Sequence, residues 1–121
     1  MHLPLNLSAT VESAIRDARA RVRVGYPWWL RLFLARDVIA ITLGRRIYLR
    51  GNATARSSAY LERLLRHELA HVRQVNRHGL IPFVVRYMAE FTRLFLRERS
   101  INTAYRKISF EVEAKAAEEA L

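Results

Sequence analysis

The chain contains no cysteine in its 121 residues. Disulfides, thiolate nucleophiles and cysteine-ligated metal centres are therefore excluded, and a metal ion could be held only by His, Asp or Glu. This usage fits a reducing cytoplasm, the expected location, with a seat on the periphery of a membrane as the variant. No stretch approaches the ~18 uncharged apolar residues of a spanning helix. The opening MHLPLNLSAT lacks the basic region and apolar run of a signal peptide. Acidic residues are also few: 11 Asp and Glu stand against 21 Lys and Arg, a formal net charge of +10.

What is present reads as one globular domain over 1–121, with 51% hydrophobic and 26% charged residues. The charge is uneven. Residues 111–121 hold four Glu and one Lys, or −3, which leaves +13 on the first 110 residues. A basic body invites an anionic membrane surface, nucleic acid or an acidic partner. Nucleic acid is the disfavoured partner, because the arginines form no single run.

Val11, Ala14, Ile15, Ala18 and Val22 recur at helical spacing and predict a helix over 9–23, capped by Ser8 and stopped by Gly25 and Pro27. WWLRLFLA (28–35) reads as a short buried helix, with an interfacial membrane segment as its alternative. DVIAITLGRRIYLR (37–50) reads as a β-hairpin turning at Gly44-Arg45-Arg46. GNATARSS (51–58) is a loop ending in two candidate caps, Ser57 and Ser58. A helix follows over 59–78 with the stripe Leu61, Leu64, Leu65, Leu69, Val72 and Val75, closed by Gly79. Another is expected over 82–98. Arg86, Glu90, Arg93 and Arg97 form its charged stripe, and the remaining apolar residues read as mostly core, with a dimer or membrane contact as the further use of so wide a face. A polar link (98–109) leads to a last helix over 110–120. The fold class is α+β, mostly helical, with the hairpin before the long helix.

That long helix contains RHELAHVRQ (66–74) and within it His67-Glu68-Leu69-Ala70-His71. Helix positions i and i+4 share one face, so both imidazoles can reach one ion without distorting the backbone. Glu68, at the edge of that face, can act as general base on a metal-bound water. Catalytic zinc takes a third protein ligand and keeps an open position. His2, His78, Asp17, Asp37 and the glutamates are the remaining candidates. His78 lies two turns beyond His71 and is too far along the helix. The H-x-x-G-x-x-H continuation of metzincins is absent. A glutamate on a second helix would complete a His-His-Glu set. Gln74 suits either a contact with His71 or solvent, and Tyr87, Tyr105 and Arg106 are candidate donors to a developing oxyanion.

HELAH followed by SFEVEAKAAEEA (109–120) resembles the gluzincin zinc metallopeptidases, including membrane-bound prenyl-protein proteases and the very small minigluzincins. There the third ligand is the first glutamate of an E-x-x-A-D run. The resemblance implies Zn²⁺ held by His67, His71 and Glu111, with Glu68 catalytic and a peptide or protein as substrate. It also implies a substrate-binding strand edge, for which Ile47 to Arg50 is the candidate. The aspartate of the run is Lys115 here, which keeps Glu113 open beside Glu111. The expected function is a zinc metallopeptidase, active or latent. The alternatives are a non-catalytic zinc-binding domain and a basic membrane- or nucleic-acid-binding protein.

Overall fold

A computed structural model describes residues 7–28, 40–51 and 57–119. Among them are five helices and three strands: α1 (Ala9–Asp17), β1 (Arg21–Val24), β2 (Ala40–Leu43), β3 (Arg46–Leu49), α2 (Ser58–His78), α3 (Leu80–Glu98), α4 (Ile101–Lys107) and α5 (Ser109–Ala117). The class is α+β and mostly helical, as the sequence predicts. The expected segment 28–35 lies outside the described residues beyond Trp28, as do positions 37–39, His2 and Asp37.

Ser8 caps α1, its hydroxyl accepting the Val11 N–H. The helix stops eight residues after it starts, not at residue 23. Arg19 adopts φ 57°, a left-handed turn that ends the helix. Arg21–Val24 then becomes a strand, parallel to β3, with Val22 beside Ile47. Val22 reaches the same core from a strand that it would have reached from a helix, which is why the apolar spacing misleads.

β2 and β3 form the expected hairpin, turning at Gly44 (φ 65°) and Arg45. The sheet order is β1-β3-β2. β3 is therefore the central strand, and Ile47 to Arg50 cannot serve as a free edge; among the described residues the outer strands are β1 and β2.

Ser57 caps α2 by accepting the Tyr60 N–H, and Gly79 at φ 86° ends it. Gly79 is also the N-terminal boundary of α3, so two long helices meet at one residue. Leu65, Leu69 and Val72 of α2 are fully buried against Val11 and Ile15 of α1, Val22 of β1, and Ile47 and Leu49 of β3. Each such side chain contributes about 1.5–3 kcal/mol by leaving water. A second cluster joins α3, α4 and α5 through Leu94, Ala104, Ile108 and Phe110.

Two expectations fail in this second half. The polar link contains a helix, α4, whose Ser100 cap accepts the Thr103 N–H and whose Ala104 is wholly buried. One small buried residue leaves almost no apolar signature. The apolar residues of α3 are mostly not core: Leu94 is its buried residue, whereas Ile81 is 70% and Val85 62% exposed. No described helix is long and apolar enough to cross a membrane.

Candidate metal centre

α2 buries Glu68, His71 and Gln74 in the middle of an apolar face. Polar groups tolerate such burial only when each finds a partner. The partners come mainly from α5, packed alongside. His67 and His71 lie one turn apart, ring centroids 5.1 Å from each other, and both present Nε2 to Glu111 Oε1, at 3.0 and 3.1 Å. His67, His71 and Glu111 offer ligand atoms all within 4.8 Å of one another. Glu113 points elsewhere, its carboxylate accepting from Gln74. His78 packs on the Phe110 ring, 5.5 Å between centroids, away from the cluster.

The far side of each imidazole is also fixed. His67 Nδ1 donates to Glu118 Oε2 at 2.9 Å, and His71 Nδ1 donates to Gln74 Oε1 at 2.9 Å. Gln74, wholly buried, donates in turn to the Phe110 carbonyl at 2.9 Å and to Glu113 at 3.0 Å. Glu118 stands three residues beyond Lys115, the position at which the gluzincin run has aspartate, and its carboxylate is the group that meets His67 Nδ1.

This arrangement fits a cation. With each Nδ1 proton donated backwards, a neutral ring leaves a lone pair on Nε2. Two lone pairs and a carboxylate oxygen then converge on one small region. Either a second proton on each ring or a shared cation reconciles them. Burial pulls both histidine pKa values down, but Glu111 and Glu68, with Glu118 at His67 and Gln74 at His71, together outweigh it and the net direction is up. Burial opposes ionisation of Glu111 too, yet hydrogen bonds from His67, His71 and Tyr87 hold its pKa far below the usual carboxylate range. The cluster could therefore bind a metal ion through two nitrogens and a carboxylate.

Three further side chains, Thr42, Tyr87 and Tyr105, border the same space. Thr42 of β2 donates to Glu68 Oε2 at 2.6 Å. Burial pushes the Glu68 pKa up, while His71 and Thr42 draw it back. Thr42 escapes sequence reasoning because a lone threonine in a strand carries no motif. Tyr87 of α3 donates to Glu111 Oε2 at 2.6 Å; burial and that carboxylate raise its pKa well above the ordinary phenol value. Tyr105, its pKa also raised by burial and Glu111, lines the same space. Arg106 is exposed and is not brought to the cluster.

Glu68, His71, Glu111, Thr42, Tyr87 and Tyr105 border one cleft of about 520 Å³, walled on one side by β2 and on the other by Phe83, Val84 and Met88. The class is thus defined: a small α+β domain with an H-E-x-x-H helix, a candidate His-His-Glu metal centre and an adjoining cleft. The chain belongs to the eCIS core domain family, eCIS denoting extracellular contractile injection system, whose sequence profile matches residues 2–79. That span ends at Gly79, so it includes His67, Glu68 and His71 but not Glu111. Neither the curated proteins nor the solved structures hold a match to the chain.

Proposed function

We propose that this domain is a zinc-dependent metallopeptidase of gluzincin type, with His67, His71 and Glu111 as ligands and Glu68 as general base. The carrying observation is that a buried carboxylate, Glu68, opens onto the same cleft as His71 and Glu111. Two histidines and a glutamate are a donor set that zinc accepts while keeping an open position. A bound zinc ion supplies Lewis acidity and brings the pKa of its water to about 7.

The chain supplies the rest. Glu68 takes a proton from the attacking water and delivers it to the leaving amine. Thr42 holds the Glu68 carboxylate in place and favours its charged form. Tyr105 offers a phenol towards the carbonyl oxygen as charge builds there. Tyr87 stays protonated and fixes the second oxygen of Glu111. The β2 edge offers backbone groups to an extended peptide, and Phe83, Val84 and Met88 favour an apolar side chain beside it.

The test compares wild type with Glu68→Gln, both quantified for zinc. Cleavage of a mixed peptide library by wild type, abolished in the variant with zinc retained, is the expected result. Zinc retained with no cleavage of any peptide by wild type would reduce the domain to a metal-binding module.

A further inference from the structure

The acidic residues are placed lopsidedly. Eight of the 11 lie at or after Glu62. The two stretches that build the sheet, 18–28 and 40–51, carry six arginines (Arg19, Arg21, Arg23, Arg45, Arg46 and Arg50) and no acidic residue. The arginines that look dispersed along the sequence are gathered by the fold. β1 and β3 run parallel in a register that sets Arg21 beside Arg46. Arg19 and Arg45 flank them at the same end, and the four surround a hollow of about 600 Å³ floored by Leu43 and Tyr48. A second hollow shares Arg46 and Tyr48 and brings in Arg23.

This concentration of like charge works against folding. All four arginines are exposed, and no ion pair among the described residues involves them. Arg45 is positioned nonetheless: its Nε donates to Asn76 Oδ1 at 2.9 Å, and Asn76 donates to the Ala18 carbonyl at 2.9 Å. Asn76 orients that guanidinium without neutralising it. Arg19 takes φ 57° in the turn that ends α1, which sets it two residues before Arg21 at the start of β1. Guanidinium groups without ion-pair partners around a concavity suit phosphate oxygens, which a guanidinium fork can engage in pairs.

We propose that this hollow binds a ligand bearing clustered phosphates, free in solution. The concavity favours a compact polyphosphate over a flat lipid surface. The hollow meets the metal-site cleft at Leu43 alone and includes none of the candidate ligands, so the inference does not depend on peptidase activity.

The experiment uses the full chain, stripped of metal by chelation so that scavenging of an ion does not contribute. Sodium tripolyphosphate is titrated calorimetrically at about 0.15 M salt. Three proteins are compared: wild type, Arg21→Gln/Arg46→Gln, and the control Arg93→Gln/Arg97→Gln, which loses the same charge from α3. Saturable binding near one ligand per chain is expected. The sheet variant should weaken it by about tenfold per guanidinium removed, and the control should leave it unchanged. The sheet variant should also melt higher than wild type without ligand, since it relieves repulsion; this keeps misfolding distinguishable from a lost site. Absent binding, or equal weakening in both variants, would overturn the proposal. So would binding to phosphatidylcholine–phosphatidylglycerol vesicles that tripolyphosphate fails to displace, because the surface would then be reading lipid.

Discussion

Glu118→Ala tests whether the metal centre is held from behind. Glu118 Oε2 accepts the His67 Nδ1 proton at 2.9 Å, and its other oxygen receives only the exposed Lys115 ammonium at 3.3 Å. Its backbone carbonyl, which accepts from Arg66, is untouched by the substitution. The perturbation therefore falls on one hydrogen bond to the ring of a proposed metal ligand. Such a bond to a charged acceptor is worth about 1.5–3 kcal/mol, or roughly 10- to 150-fold in an equilibrium constant. That range agrees with the 10- to 100-fold cost, roughly, of losing an outer partner of a metal-bound histidine. Glu118→Gln keeps an acceptor and loses the charge, and charged hydrogen bonds are about twice as strong as neutral ones, so its loss should be about half as large in free energy. Lys115→Ala should change nothing. Zinc affinity measured by competition with a chromophoric chelator separates the four proteins. Glu118→Ala indistinguishable from wild type would refute the reasoning, because His67 would then need no orientation from behind.

Other consequences follow from the same contacts. Thr42→Val removes the hydroxyl that favours the charged form of Glu68, so the acid limb of the kcat/KM profile should move to higher pH; an unmoved limb would remove Glu68 from the role of base. Gln74→Leu strips the Phe110 carbonyl and His71 of partners in a wholly buried position, and should cost about 1–3 kcal/mol in urea unfolding. The metal-free protein should lose melting temperature as pH rises above about 6.5. The folded-state pKa values of His67 and His71 are raised, so their contribution is complete below the unfolded value and is lost as pH climbs through the folded one. Zinc-loaded protein should not show that decline, since binding displaces those protons; parallel curves for the two forms would contradict it.

The long helix was legible because its signals agree: a serine cap, a sustained apolar stripe and a closing glycine. The hairpin was legible from β-branched residues around Gly44. His67 and His71 came from helical spacing, and Glu111 from the gluzincin resemblance, which left Glu113 open beside it. β1 was hidden because RVRV is four residues long and its buried Val22 also fits the period of the preceding helix. α4 was hidden because Ala104 is all it buries. α3 misled in the other direction: hydrophobicity gives a face, but not what covers it. Thr42 and Glu118 are matters of tertiary reach, which no local pattern encodes. The arginine hollow needed a parallel register between strands more than twenty residues apart in sequence.

The meeting of α2 and α5 has a topological consequence. His71 and Glu111 are 40 residues apart in sequence. A metal bound by both ties a loop shut, as a covalent cross-link would. The chain-entropy relation for cross-links gives about 4 kcal/mol for a loop of that length, before any bond energy is counted. The tie spans α3, α4 and the first turn of α5, all beyond the 2–79 stretch that matches the family. Loading the ion would thus fasten the chain's own second half onto its first, and the ion would be a determinant of which segments stay folded as well as a reagent.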